Sequence, residues 1–174
     1  MIEVAKIEAG QTVLISAAAG GVGIFAVQIA KLAGARVIGI ASGDGITLAR
    51  ELGADEVVDR HSESVLKLGQ TVDVVLDPIG GETQDQYYEV LKKGGYLVSV
   101  STTPSAEKAA SYGVRSARVS NETVGARLEQ LSGLVGEGKV RVVTDRRYSF
   151  KETSTALAHS ASGRARGKIL IEIA

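Results

Sequence analysis

The chain contains no cysteine and only two histidines. Without cysteine it forms no disulfide, and nearly every common type of zinc site is excluded as well. His61 and His159 stand far apart and lack the spacing of metal ligands. We therefore expect no metal site, and we expect both histidines to pack or to face solvent.

A net charge and a long apolar run are absent too. The 20 basic and 20 acidic residues balance, so the surface offers no field for nucleic acid or an anionic membrane. No apolar stretch approaches the roughly 18 residues that span a bilayer, and the first residues lack the features of a signal peptide. We expect no nucleic-acid partner, no membrane partner and, by default, a cytoplasmic location.

The chain does contain a regular alternation of apolar strands and amphipathic helices over 174 residues that are 44% apolar. This alternation predicts five or six parallel strands with interleaved helices, which is an α/β doubly wound parallel sheet of the Rossmann type in a single three-layer domain. The predicted strands begin at 12 and continue at 36–41, 56–59, 72–77, 96–100, 114–120 and 168–173. The predicted helices cover 24–33, 46–52, 62–68, 80–91, 123–137 and about 151–160, with a loop or short helix at 102–112.

A run of small residues at 17–23 follows the first strand and leads directly into a helix. Gly20 and Gly23 keep the second and third glycines of the G-x-G-x-x-G pattern, and Ala18 stands at the first. The free N–H groups at the start of the helix can bind an anion. The run therefore predicts a site for a dinucleotide pyrophosphate, although a glycine run can also be plain turn chemistry.

The sequence around this run supports the nucleotide interpretation. One helical face is predicted from Val22, Phe25, Ala26, Ile29 and Ala33. With the next strand it completes a β-α-β unit. That strand ends in Ala41 and Ser42 instead of the acidic residue that holds the ribose in NAD-preferring sites, although Asp44 lies two residues on. This ending favours NADP, with NAD as the alternative.

Five segments in order resemble one known family: 17–23, 49–59, 73–81, 91–98 and 163–170. Together they look like the zinc-free quinone oxidoreductases of the medium-chain dehydrogenase/reductase superfamily. The resemblance implies that residues 1–174 form the NAD(P)-binding domain, and that the N-terminal catalytic domain of the family is absent.

The resemblance also implies where a nicotinamide dinucleotide binds. The pyrophosphate would lie on the backbone of Ala19, Gly20, Gly21 and Val22. Ser42 would border the adenosine ribose and its 2′-phosphate, but the lysine that the family carries shortly after this serine is missing. Arg60 falls where relatives often carry a tyrosine, and its guanidinium either pairs with the phosphate or stays solvated.

The nicotinamide would meet the ends of the fourth and fifth strands. The residues at these ends are Asp77, Pro78, Ile79, Val100, Ser101 and Thr102. Pro78 departs from the Ser or Thr of the family, which removes a side-chain hydrogen bond. The basic run Arg164, Arg166 and Lys168 resembles a place where the family brings a cation near the adenosine phosphate, and a solvated turn is the alternative.

No catalytic side chain is assigned. Tyr88 and Lys92 match the Tyr-x-x-x-Lys pair of short-chain dehydrogenases, but they follow the wrong strand and no matching serine precedes them. The resemblance implies hydride transfer from NADPH to a quinone or conjugated carbonyl. The alternatives are an enoyl reductase domain of a larger synthase and a non-catalytic, NADP-responsive binding module. In the family the sixth strand, here 114–120, pairs with its twofold mate, so we expect a homodimer.

Overall fold

A computed structural model describes residues 2–120 and 125–173 of the chain. The helices are α1 (Ile2–Ala5), α2 (Gly23–Leu32), α3 (Asp44–Glu51), α4 (Asp85–Val90), α5 (Ala106–Tyr112), α6 (Gly125–Gly136) and α7 (Thr153–Ala161). The strands are β1 (Thr12–Ile15), β2 (Arg36–Ala41), β3 (Glu56–Asp59), β4 (Val72–Asp77), β5 (Leu91–Ser99), β6 (Arg115–Arg118), β7 (Thr144–Ser149) and β8 (Lys168–Glu172). Short 3-10 turns occupy Val65–Leu68, Gly81–Gln84 and Phe150–Glu152.

Six of the strands form one parallel sheet in the order β3-β2-β1-β4-β5-β6. The chain therefore builds the sheet outward from β1 in one direction and from β4 in the other. In β1, Leu14 lies level with Ile38 of β2 and with Val75 of β4. The predicted doubly wound α/β fold is confirmed, and the reversal between β1 and β4 opens a crevice at the carboxyl ends of these strands.

Apolar side chains cover both faces of this sheet, because alternate residues of a strand point to opposite sides. Val13 and Ile15 of β1 pack in one cluster with Ile24 and Val27 of α2. Leu14 packs on the other face in a second cluster. These strands are buried on both sides, as expected for a parallel sheet between two layers of helices.

The predicted apolar face of α2 is confirmed only in part, since Ala26 is buried and Phe25 and Ala33 pack against the core. The helix buries Gly23, Ile24, Ala26, Val27, Gln28 and Ala30. Val22 at the start of the helix is 44% exposed, and Phe25 and Ile29 are only partly buried. Because α2 is apolar almost all around, periodicity alone did not distinguish its two sides. The buried side combines small residues, Gly23, Ala26 and Ala30, with Ile24 and Val27.

Two further helix predictions needed correction. Residues 62–68 form only the 3-10 turn at Val65–Leu68. The predicted helix 80–91 starts as a 3-10 turn and ends at Val90, and β5 begins immediately afterwards at Leu91. Leu91 pairs with Val72 at the start of β4, and the register shifts before the next pair. This pairing takes Leu91 into the sheet, so the glycines at 94 and 95 lie inside the strand rather than at the end of a helix.

The C-terminal part departs most from prediction. The last strand, β8, does not join the main sheet but pairs with β7, a strand that was not predicted, in a separate two-stranded parallel sheet. Helix α6 exists, but none of its residues is buried and Leu128 is 60% exposed. The sequence places Val124, Leu128, Leu131 and Val135 on one face of this helix. Leu131 and Val135 are partly buried, Leu128 is exposed, and Val124 lies outside the described part.

One glutamine fastens this C-terminal part to the main sheet. Gln28 of α2 is buried; its Nε2 donates to the carbonyl of Arg141 over 2.9 Å, and its Oε1 accepts from the N–H of Arg141 over 2.7 Å. The side chain thus imitates a neighbouring strand. Further along, the N–H of Gly167 donates to the carbonyl of Ala19 over 3.0 Å. The chain between α7 and β8 therefore passes over residues 17–23, which we call the glycine turn. We call residues 163–168 the strap.

Candidate functional site

Two adjoining cavities lie at the crevice between β1 and β4. The inner cavity encloses about 180 Å³, and its lining includes Ser16, Ala19, Ser42, Arg60, Thr83, Tyr87 and Arg166. The outer cavity encloses about 480 Å³, and its lining includes Gly21, Val22, Gly23, Pro78, Lys168 and Ile169. Both share Ala17, Gly20, Ile79, Gly163 and Ala165. Residues of the glycine turn and of the strap therefore line both cavities.

The turn itself depends on Ala17, which has a φ of +47°. Its carbonyl accepts the N–H of Gly20 over 2.8 Å. A Cβ on Gly23 would collide with the same carbonyl, so only glycine fits there. The left-handed residue of the turn is thus Ala17 and not Ala18, which was assigned to the first glycine position. Ala18 is buried and donates its N–H to the carbonyl of Ile40.

The strap lies close to Gly21. A Cβ on Gly21 would lie 3.3 Å from Nζ of Lys168 and 3.4 Å from the carbonyl oxygen of Gly167. The bare backbone of Gly20 and Gly21 therefore lines the outer cavity directly beneath a lysine. A backbone turn open to a cavity, at the start of a helix, is the arrangement that receives phosphate groups.

Three cations surround this turn. Arg60 and Arg166 line the inner cavity, and Lys168 lines the outer one. Nη2 of Arg166 lies 3.4 Å from the carbonyl oxygen of Ser42, and Nζ of Lys168 lies 5.7 Å from the ring centre of Phe25. No Asp or Glu is among the described residues that line either cavity. The site is consequently positive, and it suits an anionic ligand.

Asp77 does not line either cavity. It is completely buried, and its carboxylate accepts hydrogen bonds from the Ser16 hydroxyl at 3.1 Å and from the N–H groups of Ile79 and Gly80 at 3.0 and 2.9 Å. Nε2 of Gln84 donates a fourth bond over 2.9 Å. Four donors compensate the buried charge. Asp77 therefore holds the turn that follows β4, and with it the wall formed by Ile79.

The residues after β5 brace the same turn from behind. Oγ1 of Thr102 accepts the N–H of Gly81 over 3.3 Å, Val100 packs against the core, and the N–H of Ser101 donates to Oγ of Ser99. The structure thus brings Ala19, Gly20, Gly21, Val22, Ser42, Arg60, Pro78 and Ile79 to the two cavities. Asp77, Val100, Ser101 and Thr102 do not line these two cavities, and their contact with a ligand stays a prediction.

Sequence reasoning missed Ser16, Thr83 and Tyr87, which form the floor of the inner cavity. Tyr87 is buried, and burial raises the pKa of its phenol although the hydroxyls of Ser16 and Thr83 lie within hydrogen-bonding reach. No motif could have identified these residues, since each belongs to a different element. The sequence pointed to the strap only through its basic residues Arg164, Arg166 and Lys168.

The Tyr-x-x-x-Lys match has other roles. The hydroxyl of Tyr88 donates to the carbonyl of Ser105 over 3.4 Å, and Nζ of Lys92 lies 2.8 Å from a carboxylate oxygen of Asp73. His159 contacts the hydroxyl of Tyr148 through Nδ1. Over residues 2–120 and 125–173 no three His, Cys, Asp or Glu side chains come together as a metal site. The same residues include no helix long and apolar enough to cross a bilayer.

The chain is similar to known oxidoreductases over most of its length. The family model for zinc-binding dehydrogenases matches residues 52–171. The mouse mitochondrial NAD(P)H oxidoreductase RTN4IP1 is 33% identical over 191 residues, which are 94% of this chain and 48% of the relative. The chain thus spans about half the length of the curated relatives it matches. Since that relative is mitochondrial, the expected cytoplasmic location stays a prediction.

Solved structures are similar over almost the entire chain. The quinone oxidoreductase of Coxiella burnetii superposes with a TM-score of 0.91 at 32% identity, covering 99% of this chain and 56% of the other. The Escherichia coli quinone oxidoreductase complexed with NADPH gives a TM-score of 0.86 at 26% identity, covering 97% of this chain and 59% of the other. The second of these proteins binds NADPH on the same fold.

Proposed function

The chain belongs to the zinc-binding dehydrogenase family of the medium-chain dehydrogenase/reductase superfamily, and on that premise we propose that it binds NADPH across the glycine turn as the nucleotide-binding unit of an oxidoreductase. One observation carries the proposal. Three cations, and no carboxylate among the described lining residues, surround an open backbone turn at the switch point of a doubly wound sheet.

The pyrophosphate would lie in the outer cavity. There the backbone of Gly20 and Gly21 faces the start of α2, and Lys168 lies over the same turn. Lys168 has no acidic partner among the described residues, so its charge is available to a ligand. A charge-assisted bond from Lys168 would act on NADH and NADPH alike, because both contain the pyrophosphate.

The 2′-phosphate would lie in the inner cavity, near Ser42. Arg60 and Arg166 line this space, and β2 ends there in Ala41 without a carboxylate. Arg166 takes the place of the lysine that is missing after Ser42, since it reaches the carbonyl of Ser42 from the strap. Because a guanidinium binds phosphate bidentately, NADPH should bind more tightly than NADH.

The reaction would be hydride transfer from NADPH to a quinone or a conjugated carbonyl compound. The bound cofactor supplies the hydride, and the protein orients it. Val22 and Ile79 at the outer cavity are 44% and 56% exposed, and Pro78 and Ile169 extend this apolar wall. We propose that an apolar substrate and a second, substrate-binding unit cover these side chains, with residues 1–174 acting as the nucleotide-binding unit.

We also propose that two copies associate through β6. Among the described residues this strand has β5 as its only strand neighbour, so its outer backbone groups are available for pairing. Arg115 and Arg118 are exposed and give an edge strand some protection from random pairing. A twofold contact would satisfy both edges at once.

Calorimetric titration of NADPH and NADH tests the nucleotide proposal. Arg60→Ala and Arg166→Ala should each weaken NADPH by about 1–3 kcal/mol, the range of a charge-assisted hydrogen bond, and leave NADH almost unchanged. Lys168→Met should weaken both cofactors by a similar factor. Arg164→Ala is the matched control, because Arg164 belongs to the strap but is not among the lining residues of either cavity.

Three results would contradict parts of this proposal. NADH binding as tightly as NADPH would remove the 2′-phosphate site. An equal effect of Arg164→Ala and Arg166→Ala would mean that the strap acts only through its overall charge. Absence of binding for both cofactors would overturn the proposed function as a whole.

A further inference from the structure

The strap, which contains Arg166 and Lys168, is held at its end by the chain that enters β7. The N–H of Lys168 donates to the carbonyl of Val143, the residue before β7, over 2.8 Å. Gly167 has a φ of +100°, and a Cβ on it would collide with the same carbonyl, so glycine is required at this point. The end of the strap is therefore fixed relative to β7.

The start of the strap is held by the last turn of α7. The carbonyl of His159 accepts the hydroxyl of Ser162 over 2.6 Å, and Oγ of Ser162 accepts the N–H of Arg164 over 3.3 Å. Gly163 lies between them with a φ of +67°, and a Cβ on it would meet no described atom within 4 Å. Because no packing holds Gly163, the direction in which the strap leaves α7 depends on the position of His159.

The ring of His159 connects α7 to β7. Its Nδ1 lies 2.9 Å from the hydroxyl of Tyr148, and its Nε2 lies 3.2 Å from Oδ2 of Asp145. Tyr148 is buried, and Oδ2 of Asp145 is buried without a hydrogen-bond partner among the described residues. When the hydroxyl of Tyr148 donates to Nδ1, the neutral ring carries its proton on Nε2, which faces this carboxylate. One side chain of α7 therefore meets two buried polar groups of β7.

Apolar packing contributes little to the position of α7. Of the residues of α7, all of which the structure describes, only Ala156 is buried, and Leu157 is 64% exposed. The sheet against which α7 lies has two strands, β7 and β8, and two strands alone give little stability. The polar contacts of His159 are therefore a large part of what fixes α7 on β7.

We propose that His159 is a positioning residue for the strap, because it fixes α7 on β7 and thereby places Lys168 and Arg166 at the two cavities. The inference rests on the proposed function and adds to it a residue that lines neither cavity. His159 does not touch the ligand. Ser160, the next residue, lines the outer cavity, so a shift of the last turn of α7 reaches the site directly.

Hydrogen exchange tests the position of the strap without any ligand. The N–H of Gly167 donates to the carbonyl of Ala19, so its exchange rate reports how often the strap leaves the glycine turn. His159→Ala should speed up exchange at Gly167 about three- to tenfold, the range of one neutral hydrogen bond. Tyr148→Phe keeps the buried ring and should act in the same direction. Leu157→Ala, on the exposed side of the same helix, is the matched control and should leave this rate unchanged.

Calorimetric titration with NADH tests the effect on the site. In the proposed function the strap contributes only Lys168 to NADH, because Arg166 is assigned to the 2′-phosphate. His159→Ala should weaken NADH about three- to tenfold, and this loss should largely disappear in a Lys168→Met background, where the contact that His159 positions is missing. A merely structural role would give the same loss in both backgrounds. His159→Asn, whose amide takes the place of Nδ1 and can accept from Tyr148, should recover most of the affinity.

Four results would overturn the inference or the proposal beneath it. Unchanged exchange at Gly167 in both His159→Ala and Tyr148→Phe would overturn the inference, and so would an equal loss of NADH affinity with and without Lys168. Failure of His159→Asn to recover the affinity would overturn it as well. Tyr148→Phe opens no large cavity and repeats both measurements, so the inference remains testable if His159→Ala does not fold. A wild type that binds neither NADH nor NADPH would overturn the proposed function, and exchange at Gly167 would then decide by itself whether His159 positions the strap.

Discussion

A glycine substituted for Ala17 should have a different effect on the stability of the protein from a glycine substituted for the neighbouring Ala18. Ala17 adopts a φ of +47°, where a side chain is strained, and Ala18 next to it is completely buried. Ala17→Gly and Ala18→Gly have the same composition and nearly the same unfolded chain. Any difference between them therefore reports on the folded turn.

The magnitude follows from three contributions. A left-handed conformation costs a residue with a Cβ roughly 1–2 kcal/mol, and glycine at Ala17 removes this cost. Glycine at either position loses about 0.5–1 kcal/mol more backbone entropy on folding. At Ala18 the substitution also removes a buried methyl group worth about 0.8 kcal/mol. This methyl group packs tightly against Gly39, where an added Cβ would lie only 2.8 Å from it. Ala17→Gly should be neutral or stabilising, and Ala18→Gly should be about 2 kcal/mol less stable than it.

Thermal unfolding followed by circular dichroism measures this difference. For a chain of this length about 2 kcal/mol corresponds to a Tm difference of roughly 4–8 °C. The wild type should melt close to the Ala17→Gly variant or slightly below it. If Ala17→Gly melted at or below Ala18→Gly, the turn would not contain the strain assigned to Ala17, and the reasoning would be wrong.

Three further predictions concern the contact between Gln28 and Arg141, the stability at acid pH and the assembly of two copies. Gln28→Leu leaves the N–H and carbonyl of Arg141 without their side-chain partner, so it should lower the free energy of unfolding by about 2 kcal/mol and speed up hydrogen exchange at 140–143. Gln86→Leu, on the exposed side of α4, is the control and should have neither effect. Burial would raise the pKa of Asp55, but hydrogen bonds from Lys31 and the N–H of Val37 outweigh it and lower the pKa. Asp55→Asn should therefore lower the free energy of unfolding by about 1 kcal/mol at pH 7. The difference should shrink below about pH 4, because protonation of Asp55 removes the same stabilisation from the wild type. An unchanged difference at about pH 3 in denaturant titrations would exclude this role of Asp55. Arg118→Pro should convert the proposed homodimer to a monomer in light scattering, because the N–H of Val119 already donates to Ser99 inside the sheet and that of Arg118 points to the free edge. A monomeric wild type would refute the proposed dimer.

Local pattern was enough for the main sheet and for the glycine turn. Strands such as 72–77 are short, β-branched and bounded by turn residues, so their type does not depend on distant contacts. Which side of α2 is buried was not predictable from local pattern. Its residues are apolar around most of the helix, so only packing against the sheet decides that Ile24 and Val27 are buried while Val22 is exposed.

The site shows the same division. Gly20, Gly21 and Val22 were predicted because a strand, a turn and a helix follow one another without interruption. Asp77 was expected near a ligand because it ends a strand, and that contact stays a prediction. In the structure four donors hold its carboxylate in the interior, so that it lines neither cavity. The sequence predicts where along a strand a residue lies. The residues that pack against it in the folded protein decide where its side chain points.

By itself the sequence determined the six strands of the parallel sheet and the turn of small residues after β1, because each depends on the periodicity and turn chemistry of neighbouring residues. Only the tertiary structure decided that β7 and β8 form their own sheet and that the strap crosses the turn. Arg166 reaches Ser42 across 124 residues of chain. Contacts of this kind depend on the path of the folded chain and on single hydrogen bonds such as that between Gly167 and Ala19, which leave no period in the sequence.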